Sequence, residues 1–143
     1  MLIGSANHSI DAKGRYIVPA KFRADLGDRF VVTQGVGGCL FAFSLSQWEE
    51  VSRRLAELPA ADKNTLNFKR RFFSRAFELE LDSQSRAVLP PLLRELAHID
   101  KDVVSVGMVS RIEIWSKDRW DAVEQDQELP EDEGTSILAG LVL

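Results

Sequence analysis

Apolar positions along the chain follow two spacings, and these spacings come in the same order twice. Phe77, Leu79 and Leu81 alternate with Glu78 and Glu80, a period of two that predicts a half-buried strand. His8–Asp11 and Arg15–Val18, flanking a tight turn, and the apolar segments Phe30–Thr33 and Leu40–Phe43 read as strands in the first half of the chain. Arg86–Leu89, Val103–Val106 and Arg111–Trp115 do the same in the second. Helical spacing falls between them. Phe22 and Leu26 share a face at i, i+4 after Pro19 and before Gly27, a start and stop suited to one short helix. Pro90, Leu92, Leu93 and Leu96 suggest its counterpart. Trp48, Val51, Leu55 and Leu58 line a longer helix, which Ser46 and Glu49 open as a capping box, and Trp120 and Val123 begin a closing one. Each half thus reads strand, tight turn, strand, short helix, strand, strand, helix.

The repetition is literal at its turns. Asp11-Ala12-Lys13-Gly14-Arg15 is followed after three residues by Pro19, and Asp82-Ser83-Gln84-Ser85-Arg86 after three residues by Pro90. Arg94 answers Arg23 at the same offset of 71 residues. After one inserted residue, Ser116, Trp120 and Val123 answer Ser44, Trp48 and Val51 at 72. A repeat of about 45 residues is near the size that cannot bury enough surface alone, so the copies should share a core or exchange strands. The units divide as repeat 1 over 5–47, connecting helices over 48–75, repeat 2 over 76–119, and a closing helix with an acidic tail over 120–143. Within the connection, Asp62–Ala76 reads as a helix with Leu66, Phe72, Phe73 and Ala76 apolar. Past Glu124 the chain is acidic up to Glu133, with Pro130 inside, and reads as solvated. Ile137–Leu143 is apolar and could dock on the body or on a neighbour.

Charge sharpens this division. The 143 residues carry a net −4, but nine acidic and two basic residues from Glu113 onward hold −7 of it, leaving +3 on residues 1–112. A mildly basic body with an acidic end does not exclude an anionic partner. The hydrophobic share of 45% suffices for a packed core. No run approaches the roughly 20 apolar residues of a membrane span. With a single cysteine, Cys39, and no signal-like start, the expected location is the cytoplasm.

Candidate chemistry concentrates at the turns. Asp can accept from backbone N–H groups two residues on, and Gly supplies positive φ, so Asp11, Gly14 and Asp82 are turn-organising residues. Arg can pair back to such an Asp or face outward. Lys69, Arg70, Arg71 and Arg75, interleaved with Phe72 and Phe73, fit either phosphate contacts or a subunit interface, and equally a helix with one solvated and one packed face. The loop Gly35–Gly38 lacks the Lys-Ser/Thr and following helix of a phosphate loop. His8 and His98 have no metal-ligand spacing around them, and Cys39 reads as a buried small side chain. Nothing nominates a catalytic pair, a cofactor or a small-molecule substrate.

The pattern D-x-K-G-R-x-x-x-P at Asp11–Pro19, its partner at Asp82–Pro90, R-R-F-F at Arg70–Phe73 and R-I-E-I-W at Arg111–Trp115 together resemble the MraZ family, over all but the stretch after about residue 125. The resemblance implies an α+β fold: two AbrB-like swapped-hairpin repeats forming a double-split β-barrel with flanking helices. It implies bacterial transcriptional regulators of the division and cell-wall gene cluster, assembled into homo-oligomeric rings on repeated promoter DNA at the nucleoid. Carried over by position, Arg15 and Arg86 would face DNA, with Lys13 assisting. One departure stands out. Ser85 replaces the Gly often found before the second Arg, and Gln84 replaces the Lys. Ser tolerates positive φ poorly, which predicts a second turn of different shape and puts the first turn ahead as a DNA contact. A non-enzymatic protein-interaction or scaffold module on the same barrel is the alternative, since fold alone does not fix function.

Overall fold

Three-residue strands such as Arg15–Ile17 and Arg86–Val88 are too short to hold a sheet alone, and the chain solves this by pairing them with each other. The structure, a computed structural model, describes residues 1–126 and 131–142. The first half runs β1 (Ser5–Ser9), β2 (Arg15–Ile17), α1 (Ala20–Leu26), β3 (Arg29–Gln34), β4 (Leu40–Ser44) and α2 (Leu45–Glu57). Then come α3 (Lys63–Ser74), β5 (Phe77–Glu80), β6 (Arg86–Val88), α4 (Pro91–Leu96), β7 (Asp102–Gly107), β8 (Ile112–Ser116), α5 (Lys117–Asp126) and α6 (Glu131–Val142).

The strands flanking each turn do not pair with each other. β1 leaves its own repeat to pair with β7, and β5 leaves its own to pair with β3, both antiparallel. β2 and β6 form a separate antiparallel ribbon, and the order β1-β7-β8-β4-β3-β5 makes a six-stranded sheet. The fold is α+β and the two repeats exchange strands. The expected barrel is not closed among the described residues, because β1 and β5 remain the two edges of that sheet.

Register exposes a pseudo-twofold axis. Arg15 opposes Val88 and Ile17 opposes Arg86, so the axis passes between Tyr16 and Ala87. Leu40 opposes Ile114 and Ala42 opposes Ile112, which places it between Phe41 and Glu113 on the sheet. The ladders also correct the repeat alignment. Phe30 opposes Ser44 and Val103 opposes Ser116. Val103 therefore answers Phe30 at an offset of 73: two residues are inserted before β7, and one is removed from the β7–β8 connection.

Side chains alternate across the sheet and build a core on each face. Phe30, Val32, Leu40, Ile112 and Ile114 face the ribbon, where they meet fully buried Tyr16, Phe22 of α1 and Leu93 of α4. On the other face Phe41, Phe43, Val104 and Trp115 pack under α2, α3 and α5, with the Phe72 ring stacked on Trp48 at 5.4 Å. Leu58, expected on the apolar stripe of α2, is half exposed at that helix's end.

Local signals shift some expected boundaries. The first strand ends at Ser9 rather than beginning at His8, because its partner β7 determines its extent. The cap of α2 is Ser44, whose Oγ accepts from the Gln47 N–H at 3.3 Å, two residues before the expected Ser46–Glu49 box. Asp62 caps α3 by accepting from the Thr65 N–H at 2.7 Å. The expected solvated segment falls partly in α5 and α6, with 127–130 outside the described residues. Of the expected apolar end, Ile137, Leu138 and Leu141 on α6 are exposed, and Leu143 lies outside the described residues.

Candidate nucleic-acid interface

In both turns the Asp carboxylate does the organising. Oδ1 of Asp11 accepts from the N–H groups of Lys13 (2.9 Å) and Arg15 (3.0 Å), and Oδ2 accepts from Arg15 Nε (2.5 Å). Oδ1 of Asp82 accepts from Gln84 (2.8 Å) and Arg86 (3.0 Å), and Oδ2 from Arg86 Nε (3.0 Å). Each backbone closes alike, with Gly14 N–H donating to Asp11 O and Ser85 N–H to Asp82 O. These bonds hold the Asp11 carboxyl below its ordinary range, led by the Arg15 N–H. At Asp82 burial is the largest single influence and pushes upward, but the Arg86 and Gln84 N–H groups together with the Arg86 side chain outweigh it. Both carboxylates are ionised at neutral pH.

Ser85 does not give the second turn a different shape. Its φ is 60° against 76° at Gly14, both left-handed. A non-glycine residue there costs about 1 kcal/mol; it is held by the four bonds just given and by a fifth, from the Asp11 N–H to Arg15 O in one turn and the Asp82 N–H to Arg86 O in the other. The expectation from glycine chemistry fails because the Asp carboxylate, rather than residue 85, sets the path of the chain.

The ribbon carries the turns at opposite ends. Leu89 N–H donates to Gly14 O and Val18 N–H to Ser85 O, extending the ladder one pair beyond each end. Val18 lies four residue steps along the strand from Gly14, so the turns stand roughly 13 Å apart. Alternation turns Tyr16 and Ala87 inward and leaves Arg15, Ile17, Arg86 and Val88 on the outer face, with Ile17 42% and Val88 50% exposed. The Tyr16 hydroxyl is tied down by Ser105 Oγ at 2.6 Å, which His8 Nε2 also meets at 2.8 Å. His8 is thus a structural partner of the buried ribbon, and burial lowers its pKa below 6.5.

Sequence reasoning did not single out Ile17 and Val88, though alternation within a three-residue strand puts them beside the two arginines. It also left Arg23 and Arg94 as mere repeat markers. Arg23 Nε donates to Val18 O at 2.9 Å and Arg94 Nε to Leu89 O at 3.0 Å, at the two ends of the ribbon. Lys13 is exposed at the first turn. The basic residues of α3 lie apart from all of these, on the opposite face of the sheet. There Lys69 Nζ donates to the Leu58 and Ala56 carbonyls and Arg75 to Gln34 Oε1, whereas Arg70 and Arg71 are exposed. Cys39 is buried, and burial pushes its thiol up to about 12. Among the described residues no helix is long and apolar enough to cross a membrane, and no cluster of His, Cys, Asp and Glu could hold a metal ion.

Sequence comparison also divides the chain into two copies of one unit. The family model described as "MraZ protein, putative antitoxin-like" matches twice, at residues 1–71 and 72–140. The chain belongs to the MraZ family. It is 50% identical to "Transcriptional regulator MraZ" of Thermoanaerobacter pseudethanolicus over 85% of both chains. The protein of the same name in Alkaliphilus metalliredigens is 46% identical over 93% of both, and that of Desulforamulus reducens 50% over 85% of both. These MraZ relatives are named as transcriptional regulators.

Proposed function

We propose that the outer face of the β2–β6 ribbon binds duplex DNA sequence-specifically, and that the protein regulates transcription at the nucleoid from repeated promoter elements. The observation that carries this reading is the pair of outward arginines, each held through Nε by its own Asp. A guanidinium fixed in this way presents its Nη edge without losing side-chain freedom on binding, and Arg pairs bidentately with guanine O6 and N7. Ile17 and Val88 between them suit contact with thymine methyl groups. A two-stranded ribbon fits the major groove, whose width of about 12 Å is close to the separation of the turns.

One ribbon makes few contacts, and few contacts bind weakly at physiological salt. Assembly into a homo-oligomeric ring would offer many ribbons to evenly repeated sites, with an avidity gain of roughly 10²–10⁴. Exposed Ile137, Leu138 and Leu141 on α6 and Phe68 and Phe73 on α3 supply apolar surface for such assembly. The acidic end then faces away from the DNA.

The test is a gel-shift titration on DNA from upstream of the protein's own gene. Arg15→Ala is expected to weaken binding at least tenfold, since a bidentate base contact is worth about 1–3 kcal/mol and every protomer loses one. Wild-type affinity in that variant would end the proposal. Failure to retard any duplex, with salt-insensitive binding to a protein partner, would favour the interaction module instead.

A further inference from the structure

Within each turn the Asp–Arg pair is electrically neutral, Arg15 being paired with Asp11 and Arg86 with Asp82. A neutral pair can aim a guanidinium at a base, but attraction to a polyanion scales with the phosphates that net positive charge neutralises. Lys13 supplies such charge at the first turn only. We propose that Arg23 and Arg94 are phosphodiester-binding sites, one beside each turn, that supply the rest. The proposal rests on the DNA-binding reading above.

The ladder places these arginines crosswise. Arg94 Nε bonds Leu89 O, and the Leu89 N–H bonds Gly14 O at 2.9 Å, so an arginine of the second repeat stands beside the first turn. Arg23 Nε bonds Val18 O, and the Val18 N–H bonds Ser85 O at 3.1 Å, so an arginine of the first repeat stands beside the second turn. Every turn is thereby flanked by one arginine from each repeat. Among the described residues neither Arg23 nor Arg94 has a carboxylate within ion-pair distance. Their Nη groups have no acceptor there either. The Nε bond holds the guanidinium plane and leaves open the two-pronged edge that phosphate oxygens take.

The two sites are unequal. The Arg94 guanidinium carbon lies only 2.7 Å from where a Cβ on Gly14 would be, so its seat exists because residue 14 has no side chain. At the second turn Ser85 has a Cβ, and Arg23 is exposed where Arg94 is half-buried. Arg23 instead lines an open cleft of about 400 Å³ with His8, Ser9 and Ile17. Arg94, more buried and seated against Gly14, carries the larger share.

Binding of the full chain to the upstream duplex, followed by anisotropy between about 50 and 300 mM salt, separates a phosphate contact from a mere strand tie. Arg94→Gln should reduce the slope of log K against log salt by about 0.9 for each protomer engaged, and should weaken binding to a scrambled duplex by the same factor. Arg94→Lys loses the Nε bond but keeps the charge, and should retain the wild-type slope. Arg23→Gln should move the slope in the same direction by less. An unchanged slope in Arg94→Gln, or equal losses in Arg94→Gln and Arg94→Lys, overturns the proposal. Absence of wild-type binding at any salt would instead remove the DNA-binding reading, and this inference with it.

Discussion

Between Asp11 and Arg15 and between Asp82 and Arg86 the backbone takes the same path, yet three of the five residues differ. The first turn has Gly at its left-handed position and an exposed Lys before it; the second has Ser and Gln. The hydrogen bonds from the two carboxylates match one for one. The comparison teaches that geometry and charge are specified by different residues. Asp and Arg determine the shape and are identical, so both turns present an arginine alike. The intervening residues determine charge and what can pack over the turn, and there the copies diverge.

Exchanging the charges is the strongest way to break this comparison. Lys13→Gln should lower the salt slope of DNA binding by about 0.9 per engaged protomer, about threefold in affinity for each protomer between 50 and 200 mM salt. Gln84→Lys should raise the slope by a similar amount. Equal, negligible effects would mean that the turns do not approach phosphates.

Exchanging the left-handed residues sharpens it further. Gly14→Ser adds a strained Cβ and displaces the Arg94 guanidinium, at a cost of about 2 kcal/mol, or a fall in Tm of roughly 5 °C. Ser85→Gly relieves strain but frees the unfolded chain, so Tm should move by no more than about 2 °C. A neutral Gly14→Ser in thermal unfolding would contradict the seat described for Arg94.

Acid gives the smallest and most gradual effect. Asp11 and Asp82 titrate below their ordinary 3.8 in the folded chain, so the stability they contribute is complete above that value and is lost as pH falls through their folded pKa values. His8, lowered from 6.5 by burial, adds a loss that begins as pH drops below 6.5. Urea midpoints should therefore decline in two stages, and His8→Gln should remove the upper one. A midpoint that stays level from pH 7 to 5 in the wild type would exclude the His8 contribution.

Much of this was legible in the residues themselves. The D-x-x-x-R spacing, Pro19 with Pro90, and the alternation of Phe77–Leu81 gave the turns, the short helices and the strands. Repeats too small to bury their own core left a shared core and exchanged strands both open, and the β1–β7 and β3–β5 ladders decide for exchange. What local patterns could not reveal was partnership. A strand's ends depend on its neighbour in the sheet, which is why β1 begins at Ser5 and why α2 is capped by Ser44. The count of inserted residues needed the β3–β4 and β7–β8 registers. Ser85 was misread because intrinsic preference, about 1 kcal/mol, is outweighed by the bonds to Asp82. Arg23 and Arg94 act through carbonyls of the ribbon, and no spacing in the sequence announces that.

The proposed function has both turns present a buttressed arginine to DNA. Its most direct test measures Arg15→Ala and Arg86→Ala side by side, on the upstream duplex and on a scrambled one. Each variant should lose discrimination between the two duplexes by at least about tenfold, with Arg86→Ala comparable to Arg15→Ala. Full discrimination retained in Arg86→Ala would contradict it, and would reduce the second turn to a strut for the first.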